Sequence, residues 1–133
     1  MKKTGIINPQ LARIIASMGH TDKLVVCDSG LPIPRDAEVV CLALTKNIPR
    51  FLDTVRVLLE EMQVQKAVIA TELVSQGNGM YQELLSLLPG VELRQVSHEE
   101  FKKLTCNGCT AFVRTGEATP FANVILEAGV TFG

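Results

Sequence analysis

The sequence predicts an α/β fold: three α/β/α layers around a largely parallel sheet of about six strands. Three observations carry that expectation. Short apolar runs rich in Val, Ile and Ala recur along the chain, segments of helical periodicity alternate with them, and Gly- and Pro-broken loops separate the two. The 133 residues suit a single domain spanning 1–133, long enough to bury a core without disulfides or metal.

The elements follow in order. Asn8-Pro9 pairs a good N-cap with a residue tolerated at the first helical position. Leu11, Ile14, Ile15 and Met18 then recur at helical spacing, and Gly19 offers a stop. Leu24 to Cys27 is a short continuous apolar run, the pattern of a strand covered on both faces. Ser29-Gly30-Leu31-Pro32-Ile33-Pro34 must be a loop, since Gly and two prolines cannot continue a central strand. Val39 to Leu44 reads as a second buried strand. From Pro49 onward, Phe51, Leu52, Val55, Leu58, Leu59 and Met62 form the stripe of an amphipathic helix. Lys66 to Ala70 is a third strand, Met80 to Leu88 a helix closed by Pro89-Gly90, and Val91 to Val96 a more exposed, alternating strand. Ser97 opens a helix with Glu100 placed as its capping-box partner. Ala111 to Val113 and Asn123 to Leu126 are the last strands, around a loop from Arg114 to Pro120.

Composition excludes several classes. Thirteen basic against fourteen acidic residues give a net charge of −1, with no Lys/Arg run, so the electrostatic footprint of a nucleic-acid binder is missing. No stretch approaches the ~18 apolar residues of a membrane span, and the first eight residues hold no apolar signal core. The expectation is a cytoplasmic protein that engages neither nucleic acid nor membrane. Its four cysteines, Cys27, Cys41, Cys106 and Cys109, should then be reduced thiols. An apolar content of 47% in so small a chain also suggests surface covered by other subunits.

Three constellations could carry chemistry. In the first, Gly19-His20-Thr21-Asp22 sets one of only two histidines at an αβ turn, with Asp28 beyond the following strand. Histidine gives and takes protons near neutral pH, and a nearby carboxylate can fix its tautomer. Equally, Asp28 could cap the Ser29-Gly30 turn and His20 could be an ordinary loop residue. In the second, His98 falls in the first turn of a helix, where exposed N–H groups hold hydroxyls or anions. A merely solvated helix start fits the same residues. The third runs from Thr115-Gly116-Glu117 to Thr119-Pro120-Phe121-Ala122-Asn123, where Asn123 brings a donor and an acceptor to the start of an apolar strand. That amide could bind a polyhydroxylated ligand or satisfy turn backbone.

Two sharper-looking motifs weaken on inspection. Cys106-Asn107-Gly108-Cys109 has the spacing of zinc and redox sites, but no second pair completes four ligands, and Cys27 and Cys41 sit alone in apolar strand patterns. It also follows a helix instead of opening one, so nothing lowers a thiol pKa. Gly77-Asn78-Gly79 begins like a dinucleotide fingerprint, yet the third glycine position is Gln82. No metal or cofactor is expected.

Together these pieces resemble the ribose pyranase branch of the sugar-mutarotase family, which also includes the fucose mutarotases. The blocks that carry the resemblance are Met18 to Asp22, Asp28 to Pro34, Ser97 to Lys102, Arg114 to Glu117 and Thr119 to Asn123, after a Met-Lys-Lys-x-Gly-Ile start. The resemblance implies interconversion of the β-pyranose and β-furanose forms of D-ribose by cofactor-independent ring opening and reclosure. It implies a homo-oligomer, a decamer of two stacked pentamers, with substrate sites at subunit contacts. By motif position, His20 is the implied catalytic acid, and Asp28, His98, Phe121, Ala122 and Asn123 the substrate-binding residues. Phe121 departs from the family's usual Tyr. A ribose-binding accessory without turnover, or a thiol or metal function at Cys106 and Cys109, are the rival classes.

Overall fold

A computed structural model describes all residues, 1–133. In chain order the elements are α1 (Pro9–Ser17), β1 (Lys23–Cys27), β2 (Val39–Cys41), α2 (Phe51–Glu61), β3 (Val64–Ala70), α3 (Thr71–Ser75), α4 (Met80–Leu87), β4 (Glu92–Val96), α5 (His98–Thr105), β5 (Ala111–Arg114) and β6 (Val124–Ala128). The six strands form one sheet in the order β2-β5-β1-β6-β3-β4. All neighbours pair in parallel except β6, which runs antiparallel to both β1 and β3. The three-layer, largely parallel expectation holds, with the last strand inserted in reverse at the centre.

Alternation along the strands divides the interior. Leu24, Val26, Ala67, Ile69, Val124 and Leu126 point to the larger core, beneath Leu11 and Ile14 of α1, Val55 and Leu58 of α2 and Leu84 of α4. Val25, Cys27, Val68, Phe112 and Ile125 point to the smaller one, beneath Phe101 of α5 and Leu31 of the loop that follows β1. Residues 24 to 27 are all fully enclosed, as a strand covered on both faces demands. Each such side chain contributes roughly 1.5–3 kcal/mol by leaving water.

Several boundaries moved for identifiable reasons. Asn8 caps α1 as expected, its Oδ1 accepting from Leu11 N at 3.0 Å. Gly19 is not the stop, however: the chain leaves the helix in extended conformation at Met18, and the left-handed residue is Thr21, at φ 72°. The expected buried strand from Val39 to Leu44 shrinks to the three-residue β2 at the sheet edge, where only Val40 is buried and Cys41 is exposed. An edge strand has one covered face, so its apolar run overstated its burial. Ser97 caps α5 through Oγ, 3.1 Å from Glu100 N. The next free N–H of the helix start, that of His98, is taken by Glu72, whose carboxylate accepts from it at 3.0 and 3.2 Å.

Candidate active site

Parallel strands gather their C-terminal ends on one edge of the sheet, where open α/β proteins place ligand sites. Asp28 leaves β1 there, His98 opens α5 just past β4, and Asn123 enters the reversed β6 from the same edge. Asn123 is fully enclosed and its amide spans Asp28: Asp28 N donates to Asn123 Oδ1 at 2.8 Å, and Asn123 Nδ2 donates to Asp28 Oδ2 at 3.3 Å. The other carboxylate oxygen accepts from Gly30 N at 2.9 Å. Asp28 therefore does cap its turn, and is held in a fixed orientation by doing so.

Phe121 joins this group to His98. Its ring meets the imidazole edge-on, with centroids 4.9 Å apart at 77°, while Phe101 lies parallel beneath His98 at 6.4 Å. Phe121 is also left-handed, at φ 64°, a conformation costly for a side chain of this size. Such strain clusters where structure over-determines a functional segment. Ala122 packs its methyl into the larger core. His98 Nδ1 is buried and has no hydrogen-bond partner.

His20 does not join them. It sits before β1, at the opposite edge of the sheet from Asp28, so the five residues of β1 separate the two by roughly 15 Å. It is exposed, and its Nε2 lies 3.0 Å from Gln65 Oε1. Asp22 does not touch the ring; its carboxylate accepts from Gly19 N at 2.8 Å and closes the turn. Within one chain the six expected site residues thus fall into a cluster of five and a lone histidine.

The third constellation splits as well. Thr115 is a buried tie, its Oγ1 donating to Cys27 O at 2.7 Å. A Cβ on Gly116 would stand 2.5 Å from the carbonyl oxygens of Thr45 and Ile48, so close approach, not turn geometry, requires glycine there. Glu117 is almost wholly enclosed and accepts from Arg50 Nη2 at 3.0 Å, Phe51 N at 3.0 Å and Thr119 Oγ1 at 2.7 Å. Burial works to raise its pKa, but the Arg50 and Phe51 hydrogen bonds, with Thr119 and the Arg50 charge, outweigh it and hold the carboxyl below its ordinary value. Cys106 and Cys109 are free thiols, and burial pushes Cys109 up, away from the reactive thiolate.

The model of the RbsD / FucU transport protein family matches residues 1–131. The chain belongs to that family. Among similar family members, the D-ribose pyranase of Coprothermobacter proteolyticus is 54% identical, the alignment covering 99% of this chain and all of that protein. That of Kosmotoga olearia is 46% identical over the same shares. Of solved structures, Bacillus subtilis RbsD complexed with D-ribose superposes with a TM-score of 0.94 at 47% identity, over 99% of this chain and all of the other. The fucose mutarotase of Streptococcus pneumoniae, complexed with L-fucose, shares the fold at 22% identity, TM-score 0.78 and 95% coverage of each.

Sequence reasoning missed the supports of the site. Helix α3, of five residues, starts without a loop from the end of β3 and is too short for a periodicity signal. Yet its Glu72 anchors His98 N and its neighbour Gln76 donates to Pro120 O at 3.1 Å, fixing both sides of the His98–Phe121 contact. Gln65, which meets His20, and Glu127, which meets Gln65 from the neighbouring strand, carry no local motif at all.

Proposed function

We propose that this chain interconverts the β-pyranose and β-furanose forms of D-ribose, binding the sugar at Asp28, His98, Phe121, Ala122 and Asn123 and moving protons with His20. The observation that carries the reading is the hydrogen-bonded, aromatic-walled cluster at the strand ends, in a fold whose 47%-identical relative was solved with D-ribose. The fixed carboxylate of Asp28 and the unpartnered Nδ1 of His98 suit sugar hydroxyls, since an unsatisfied buried polar atom costs roughly 1–3 kcal/mol that a ligand bond relieves. Asn123 Nδ2 keeps a second hydrogen beyond the one given to Asp28. The Phe121 ring forms an apolar wall. Opening a hemiacetal and reclosing it through another hydroxyl requires only proton transfers, which a positioned imidazole accelerates by roughly 10²–10⁴-fold.

Because His20 stands at the far edge of its own sheet, the complete site uses His20 of a neighbouring copy. A closed homo-oligomer, a decamer of two stacked pentamers, provides that contact. Large apolar side chains left in solvent support it: Ile7 is 78%, Leu44 79% and Phe132 81% exposed. No helix is long and apolar enough to cross a membrane, and the work of the enzyme, preparing sugar for furanose-using reactions, belongs in the cytoplasm. NMR exchange spectroscopy on ribose tests the function. The protein is expected to accelerate pyranose–furanose exchange and His20→Ala to abolish that; unaccelerated exchange with the native protein would leave only a ribose-binding role.

A further inference from the structure

Strand β3 contains a bulge opposite β6. Lys66 pairs with Glu127 and Val64 with Ala128, so two steps on β3 match one on β6 and Gln65 is the extra residue. The consequence is visible in the burial: Val64 and Ala67 both belong to the larger core, which strict alternation would forbid. Gln65 and Lys66 are consequently both turned to the other face, the one that carries Glu127. Without the bulge, Gln65 would point into the apolar core. Gly129 lets the bulge close, since a Cβ there would lie 3.2 Å from Gln65 Cβ.

In that position Gln65 bridges two groups. Its Nε2 donates to Glu127 Oε2 at 2.7 Å, and its Oε1 lies 3.0 Å from His20 Nε2. Glu127 is largely enclosed, at 15% side-chain exposure, and its other oxygen faces Lys23 Nζ at 3.8 Å. The chemistry of these atoms dictates the proton positions. An ionised carboxylate has no hydrogen to give, so the amide must turn its NH₂ to Glu127 and its oxygen to His20. An amide oxygen only accepts, so His20 Nε2 must carry a hydrogen.

We infer that Glu127 is a positioning residue that, acting through Gln65, commits His20 Nε2–H and makes Nδ1 the atom that exchanges protons with the sugar. This rests on the reading of His20 as the proton-transfer group. The same nitrogen then serves both halves of the reaction. In ring opening, neutral Nδ1 takes the proton from the anomeric hydroxyl as its oxygen forms the carbonyl double bond. The ring C–O bond breaks, its electron pair staying on the ring oxygen, and that oxygen receives the proton from the imidazolium Nδ1–H. Reclosure reverses the sequence through the other hydroxyl: Nδ1 takes its proton as it attacks the carbonyl carbon and returns a proton to the carbonyl oxygen. The carboxylate beyond Gln65 steadies the imidazolium between the two transfers.

Two-bond ¹H–¹⁵N correlation spectra of the labelled protein, at a pH where the ring is neutral, read the tautomer directly, with His20 assigned by its absence from the His20→Ala spectrum. The native protein is expected to show the Nε2–H form. In Glu127→Gln the replacement amide can either donate to or accept from Gln65, so the preference should collapse to a mixture. The ribose exchange kcat should fall about tenfold, the mixed tautomer costing about twofold and the missing carboxylate behind the imidazolium the rest, while KM stays within about twofold. An Nδ1–H tautomer in the native protein would overturn the inference without need of any variant, as would Glu127→Gln with native tautomer and native kcat. Undiminished exchange in His20→Ala would instead sink the functional reading of His20, whichever tautomer the ring holds.

Discussion

Asn123 holds Asp28 from both ends: its amide oxygen accepts the Asp28 backbone N–H at 2.8 Å and its NH₂ meets the carboxylate at 3.3 Å. Two strands running in opposite directions are thereby locked at the edge where the sugar is proposed to bind. Asn123→Ala removes both bonds and leaves the Asp28 N–H without its partner, a loss of roughly 1–3 kcal/mol. The variant is expected to unfold at lower denaturant and to bind ribose at least about tenfold more weakly, read by urea titration and calorimetry. Native ribose affinity in a destabilised Asn123→Ala would mean that the clamp serves the fold alone.

Phe121 combines a strained backbone with a ring against His98. If the ring acts as an apolar wall, Phe121→Tyr keeps its area and should change exchange rate or affinity by less than tenfold, the worth of one hydrogen bond at about 0.5–1.5 kcal/mol. Phe121→Ala and Phe121→Gly should both lose far more activity. They should differ in stability, because glycine adopts φ 64° freely and alanine does not, a gap of about 1 kcal/mol in favour of glycine. Equal stability of the two variants would show that the left-handed turn is not under strain.

Glu117 makes stability depend on pH in a calculable direction. Its folded pKa lies below the ordinary value, so the ionised carboxylate contributes stability above the unfolded pKa of about 4.3, and that contribution is lost as pH falls through the folded value. Glu117→Gln cannot ionise and lacks it throughout. The variant is expected to be less stable than native by about 2 kcal/mol at pH 7, with the gap narrowing as both are acidified below about pH 4. A gap that stays constant to pH 3 in denaturant titrations would assign the effect to packing, not to the charge.

The legible part of the fold was its core. Leu24 to Cys27 and the stripe from Phe51 to Met62 follow from apolar periodicity because buried faces tolerate few residue types. The reversal of β6 left no trace, since a strand buried on both faces reads the same in either direction. In the site, Asp28, His98, Phe121, Ala122 and Asn123 came from motif blocks and do converge. What sequence could not supply was the partnership of His20: Gln65 is turned toward it by a bulge, and Glu127 lies 107 positions away in the chain, which local spacing cannot register.

That His20 and Asp28 stand at opposite ends of β1 also makes the shared site testable without a structure of the assembly. His20→Ala chains keep an intact Asp28 cluster, and Asp28→Ala chains keep an intact His20. Each alone should be inactive. Unfolded together and refolded in equal amounts, random assembly gives about a quarter of sites an intact cluster from one chain and an intact histidine from its neighbour. Exchange activity should therefore return to roughly a quarter of native in the co-refolded mixture. Ribose exchange measured on the mixture decides it. A mixture as inactive as its components, with ultracentrifugation showing that mixed oligomers did form, would show that no site combines His20 and Asp28 from different chains and remove the neighbouring copy from the mechanism.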